Sequence, residues 1–157
     1  MTNKEIKIAY CEYDSIDQLD NNDKVLSEAA IEAMSGSYAP YSKFNVGAAV
    51  RFDDGEIIKG ANQENAAYPS GTCAERTALF YAGASRPDQP IEAIAIAASQ
   101  NGELLENPVT PCGACRQVMA QYQLKAGKPM NIILVGASKV WQFEKVEDLL
   151  PLMFDSI

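Results

Sequence analysis

Histidine is absent from the 157-residue chain. That removes Ser-His-Asp and Cys-His catalysis, helical H-E-x-x-H zinc sites and Cys2His2 fingers together, because each needs an imidazole. Acid–base chemistry then falls to carboxylates, lysine, tyrosine or metal-activated water. Positive charge is scarce too: 13 Lys plus Arg stand against 21 Asp plus Glu, a net charge of −8, with no basic run. A protein that grips nucleic acid by its phosphates needs a basic face, so no nucleic-acid partner is expected. No stretch approaches the roughly 18 apolar residues of a membrane span. The start, Met1-Thr2-Asn3-Lys4-Glu5, has no apolar core of signal-peptide length. No membrane partner and a cytoplasmic location are expected. Cysteine is also sparse, with Cys11, Cys73, Cys112 and Cys115 too few for a disulfide scaffold. In a reducing compartment thiols more often bind metal or react than form bridges.

What is present fits one globular domain, with 47% hydrophobic and 22% charged residues. Ile6, Ile8 and Tyr10 alternate and suggest a short edge strand, followed by an acidic polar stretch from Glu12 to Asp23. From Lys24 to Ser35, residues Val25, Leu26, Ala29, Ala30, Ala33 and Met34 line one helical face, and Gly36 supplies a stop. Phe44 to Phe52 alternates as a strand, Asp53-Asp54-Gly55 turns, and Glu56 to Gly60 returns, giving a hairpin. The Ala-rich segment Cys73 to Ala82 reads as a helix opened by Thr72 and closed by Gly83. Ile91 to Ala98 is a nearly continuous apolar run of the kind found in strands buried on both faces. Cys112 to Leu124 is helical, with Thr110 as a cap and Pro111 at the first position. Asn131 to Val135 and Lys139 to Phe143 read as strands, and Val146 to Leu150 as a short terminal helix. Strands alternating with helices after a first hairpin indicate an α/β sandwich on a mixed sheet.

Three cysteines fall at the starts of two helices. Cys112 and Cys115 share the first turn of one, and Cys73 begins the other. In an α/β layer both starts point to the same sheet edge, where backbone N–H groups and helix dipoles favour thiolates. Three protein ligands are one fewer than a closed structural zinc site uses, so the count indicates a catalytic site with an open position. Glu75, in the first turn of its helix, can reach the space beyond the helix end and act as a proton carrier. Other readings stand beside these. Thr72-Cys73-Ala74-Glu75 also matches a capping box. A C-x-x-C alone is equally a redox pair or half of a zinc knuckle. Cys11 has no partner at a recognisable spacing and reads as a small apolar filler or an exposed thiol.

Cys73-Ala74-Glu75 followed by Pro111-Cys112-Gly113-Ala114-Cys115-Arg116-Gln117 resembles the signature of the zinc cytidine deaminases in its three-cysteine form. The segment Ala39 to Ala48 resembles the family's pyrimidine-side strand, and Gly60 to Pro69 its ribose-binding strand end. Glu147-Asp148-Leu149-Leu150-Pro151 with Phe154 is similar to its usual C-terminus. The likeness covers roughly Leu26 to Phe154, which makes residues 1–22 an N-terminal extension and residues 23–157 the catalytic domain.

This resemblance implies a three-layer α/β/α sandwich with a mixed five-stranded sheet, built as a homotetramer. It implies hydrolytic deamination of cytidine and deoxycytidine to the uridine products and ammonia, a step of pyrimidine salvage. Cys73, Cys112 and Cys115 would hold Zn2+, and Glu75 would shuttle protons. Phe44 would pack on the pyrimidine, and the backbone near Ala74 would meet the base. Asn62, Glu64, Ala66 and Tyr68 would contact the nucleoside, with Tyr68 and Phe154 completing sites between subunits. Three thiolates overcompensate the charge of Zn2+, so Arg76 and Arg116 are expected to donate to the sulfurs and restore acidity. A deoxycytidylate substrate would need an extra cation for its phosphate, and none accompanies Asn62 and Glu64. Another small amino-heterocycle, such as a blasticidin-type nucleoside, remains the alternative substrate at this stage.

Overall fold

Two side-chain sizes alternate along one central strand of the computed structural model, which describes residues 1–155. Residues 156 and 157, the last two of the expected catalytic domain, lie outside the described residues. In β1 (Cys11–Tyr13), β2 (Phe44–Phe52), β3 (Ile57–Ala61), β4 (Ile91–Gln100), β5 (Glu103–Leu104), β6 (Asn131–Val135) and β7 (Val140–Phe143) the chain forms one sheet. On β4, Ile94 and Ile96 face one side and Ala93, Ala95 and Ala97 the other, all buried. The isoleucine side packs with Val50, Phe52 and Leu134 beneath α2 (Ala74–Ser85) and α3 (Gly113–Ala126). The alanine side lies beneath α1 (Asn21–Ala33), against Leu26 and Ala30. Both faces are covered, and the three expected layers follow.

The strand order is β1-β7-β6-β4-β2-β3, with β5 paired to the end of β4. Five of these, β2, β3, β4, β6 and β7, are the strands expected from the sequence. The two additions are short and lie at edges. β5 folds back through Asn101 and Gly102, both at positive φ of 56° and 85°, the geometry that Asn-Gly favours in a two-residue hairpin. β1 lies three residues after Ile8 and not over Ile6 to Tyr10, because β7 offers only four residues for pairing. Cys11, Glu12 and Tyr13 take Gln142, Trp141 and Val140, leaving Ile6 and Ile8 exposed without a partner strand among the described residues. Tyr10 stacks on Phe143 at 5.2 Å between ring centroids, and Glu12 accepts from Lys139 Nζ and Trp141 Nε1.

Among the strands of the described residues, β4 and β6 alone pair in parallel, and α3 lies between them in the chain. β3 and β4 are both antiparallel to β2, hence run in one direction, and α2 lies between them. Each helix starts from the end of one of these co-directional strands, so both N-termini lie at one edge of the sheet.

Close approach depends on glycine at several positions, Gly47 and Gly83 among them. A Cβ on Gly47 of β2 would sit 2.1 Å from the Ala30 carbonyl oxygen and 2.6 Å from the Met34 nitrogen, so α1 lies directly on the strand backbone. Gly83 does not close its helix, which runs on to Ser85. A Cβ there would meet the Tyr122 hydroxyl at 2.2 Å, and the glycine makes room for that ring between α2 and α3. Helix α1 starts earlier than the apolar stripe implies, because Asp20 caps it by accepting from the N–H groups of Asn22 and Asp23. The expected terminal helix is a single 3-10 turn, Val146–Asp148.

Gly47→Ala is expected to cost about 3 kcal/mol of stability through backbone displacement. Gly36→Ala, whose Cβ would meet only Ala61 Cβ at 3.7 Å, is expected to change stability by less than about 0.5 kcal/mol. Urea unfolding of both variants checks the contrast.

Candidate active site

Cys73 and Cys112 are the N-cap residues of α2 and α3, each with an extended backbone and neither making a side-chain capping bond. Their thiols are therefore free to turn outward from the helix ends. Cys115 follows in the first turn of α3 and is fully buried, whereas Cys73 is half-buried and Cys112 exposed. All three sulfurs lie within 4.8 Å of one another, and those of Cys112 and Cys115 are 3.4 Å apart. Sulfurs bound tetrahedrally at about 2.3 Å from a zinc ion stand roughly 3.8 Å apart, so the trio suits that ion with one coordination position left open. Cys11, on β1, does not belong to the cluster. The expected caps are shifted by one or two positions. Cys112 itself occupies the N-cap, and Pro111 precedes it, its carbonyl accepting from Arg116 Nε.

The charges around the trio are unequal. Cys73 is lowered to about 5, chiefly by its hydrogen bond with Cys115 and secondarily by Arg76, whose Nη2 lies 3.5 Å from Cys73 Sγ, while burial opposes both. Cys115 is raised by the same pairing and by burial, so of the two it keeps the proton. Glu75 is 5% exposed, and burial raises its carboxyl above the ordinary range, with the Cys73 charge adding to the effect. The capping-box alternative fails here. Thr72 is not the N-cap, and its hydroxyl donates to the Cys73 carbonyl at 3.4 Å.

Glu75 opens onto a cleft of about 610 Å³. Cys73, Ala74 and Arg76 line it with Glu75, and Phe44, Asn62, Glu64 and Tyr68 form other parts of the wall. Asn62 does more for the protein than its expected sugar contact suggests. Its Oδ1 accepts from Val46 N–H at 2.8 Å and from the Ser37 hydroxyl at 2.5 Å, and its Nδ2 donates to the Phe44 carbonyl at 2.9 Å. Glu64 accepts from the backbone N–H groups of Tyr41 and Ser42 through Oε2. The Ser42 hydroxyl first, and the Tyr41 N–H second, hold its carboxyl below the usual range.

Three expected residues lie elsewhere. Ala66 is exposed and outside the cleft lining. Phe154, 67% exposed, also lies outside it, clasped through its backbone N–H and carbonyl by the Gln117 side chain. Arg116 places Nε and Nη1 on the carbonyls of Pro111 and Leu149 instead of the sulfurs, bracing α3 against the C-terminal turn. Ser37 and Gln117 also support the site, and no sequence signal marks them, because their partners lie 25 and 37 residues away with no local spacing.

The sequence profile described as "Cytidine and deoxycytidylate deaminase zinc-binding region" matches residues 20–128. The chain belongs to this deaminase family. Curated relatives within it include a cytidine deaminase of Halalkalibacterium halodurans, 51% identical over 98 residues that make up 62% of this chain and 70% of that one. A cytidine deaminase of Sporosarcina psychrophila is 46% identical over 100 residues, 64% of this chain and 68% of its own. Among solved structures, the cytidine deaminase from Burkholderia pseudomallei has 41% identity and a TM-score of 0.67, covering 83% of this chain and 97% of its own. That from Mycobacterium tuberculosis has 31% identity and a TM-score of 0.66, covering 88% and 100%. Zn2+ is the cofactor that both the family's zinc-binding region and the thiol trio fit.

Cys112→Ala is expected to lower bound zinc at least tenfold at limiting free metal, and Cys11→Ser to leave it unchanged. Metal analysis by plasma mass spectrometry after dialysis distinguishes the two.

Proposed function

We propose that the protein hydrolyses the exocyclic amine of cytidine and deoxycytidine, giving uridine or deoxyuridine and ammonia, with Zn2+ on Cys73, Cys112 and Cys115. The observation that carries this reading is the buried Glu75 carboxyl set beside the thiol trio and opening onto a cleft of nucleoside size. When bound, zinc supplies the Lewis acidity that brings the pKa of a coordinated water toward neutrality. Glu75 moves the protons: an Oε takes one from the attacking water and delivers it to N3 of the ring, then takes the proton of the new C4 hydroxyl and gives it to the amine, so that the C4–N bond breaks, ammonia leaves and the C4 carbonyl forms. Burial moves its pKa upward, the direction that favours giving a proton back as well as taking one. Free N–H groups in the first turn of α2, at Ala74, offer donors to the base, and the Phe44 ring offers an apolar face to it. Asn62 and Glu64 present polar groups to the sugar. Arg76 draws charge from Cys73 Sγ and thereby favours acidity at the metal.

The working assembly is a homotetramer in which Tyr68 and Phe154, both strongly exposed on the single chain, complete a neighbour's site, with Ala66 beside Tyr68 in the same loop. Residues 23–157 form the catalytic domain and residues 1–22 the extension. The setting is cytoplasmic pyrimidine salvage, in keeping with four free thiols. No helix among the described residues is long and apolar enough to cross a membrane.

Zinc-loaded protein mixed with cytidine is expected to convert the cytidine ultraviolet spectrum to that of uridine; an unchanged spectrum overturns the substrate assignment. Glu75→Gln is expected to retain zinc while turnover falls about 10²–10⁴-fold, and near-native turnover in that variant would rule out the shuttle. Sedimentation equilibrium is expected to give a tetramer, and a monomer at assay concentration refutes the shared sites.

A further inference from the structure

Asn62 has four hydrogen-bonding positions, two lone pairs on Oδ1 and two N–H bonds on Nδ2. Val46 N–H and the Ser37 hydroxyl occupy both lone pairs, and the Phe44 carbonyl takes one N–H. Among the described residues the one position left over is an N–H, on a side chain that lines the cleft. Glu64, two residues along the same wall, is the complement. Its Oε2 is taken by the backbone of Tyr41 and Ser42, and its carboxylate can only accept. A lone donor beside an acceptor matches a hydroxyl group, which accepts from the first and donates to the second.

We propose that Ser37 is a positioning residue that makes Asn62 donor-only toward the cleft, and so sets the affinity of the site for a sugar hydroxyl. Ser37 lies outside the cleft lining and acts only through Asn62. It follows the 3-10 turn that ends α1, in an extended conformation at φ −67° and ψ 135°. The contact therefore ties the end of α1 to the sugar end of the cleft. Removing the hydroxyl leaves an Oδ1 lone pair without its partner and takes away one of the three bonds that orient the amide, so its remaining N–H is aimed less firmly at a ligand hydroxyl. Phe44 and Val46 would still hold the amide in place, so the effect falls on ligand discrimination more than on fold.

The inference rests on the reading of the cleft as a nucleoside site, and its test separates the two. Zinc-loaded protein is titrated calorimetrically with uridine and with 2′,3′-dideoxyuridine, which lacks the sugar hydroxyls at issue. Wild-type protein is expected to bind uridine more tightly. Ser37→Ala is expected to weaken uridine about three- to tenfold, the scale of one hydrogen bond, and to leave dideoxyuridine unchanged. Ser37→Thr, which keeps a hydroxyl, is expected to restore uridine affinity. Unchanged uridine affinity in Ser37→Ala, or an equal loss for both nucleosides, overturns the positioning role. Wild-type protein that binds neither nucleoside overturns the reading of the cleft and this inference with it, a failure visible before any variant is made.

Discussion

Two helices that begin at the same edge of one sheet decide where chemistry occurs in this protein. β3 and β4 run in one direction because both pair antiparallel to β2, and α2 and α3 start from their ends. Helix starts leave N–H groups unpaired and carry partial positive charge, which suits thiolates. By placing cysteine at both N-caps, the chain gives up the usual capping side chains at those ends. It gains two ligands that the backbone alone aims at one point, and Cys115 needs only one further turn of α3 to join them.

The cleft uses its polar groups for two purposes. Asn62 joins β2, the loop after α1 and the ligand wall, and Glu64 holds the Tyr41–Ser42 segment through Oε2. Groups already bonded to backbone lose little further freedom when a ligand arrives, which is the physical content of preorganisation. Glu75 shows the opposite strategy. Its burial disfavours the charged form and holds its pKa above the ordinary carboxyl range, which is the property the proposed proton transfer draws on. Arg76 offsets negative charge on the sulfur side, whereas Arg116 is a brace between α3 and the C-terminal turn.

The segment around β1 is attached to the sheet by more than backbone pairing. Tyr13 donates to Gln142, and Gln142 and Asn131 both donate to the buried Asp23 carboxylate, which also pairs with Arg51 at 2.9 Å. β1, β7, β6 and β2 thus meet under the first turn of α1 through side chains. Such a network is costly unless its members are paired, and it therefore favours one register at that end of the sheet.

Much of this was legible in residue order. The absence of histidine, the Cys73–Glu75 and Pro111–Cys115 spacings, and the alternation over Phe44–Phe52 and Ile91–Ala98 depend on local periodicity, which is a property of the chain itself. Less legible were the features that need a partner distant in sequence. Ile6 and Ile8 alternate as a strand should, yet β7 is too short to pair with them. Gly83 resembles a helix stop, yet Tyr122 explains it. Thr72 and Glu75 match a capping box, yet the N-cap is Cys73 and Glu75 lines the cleft. Arg116 neighbours a metal ligand but bonds to carbonyls, and Ser37 carries no signal until folding brings it 2.5 Å from Asn62. Residue types and short spacings alone determined which chemistry this chain can perform, because donor sets and helix starts are encoded within a few positions. Only the tertiary structure decided which side chains share the site, because pairing register and close packing between distant segments are set by the whole sheet at once.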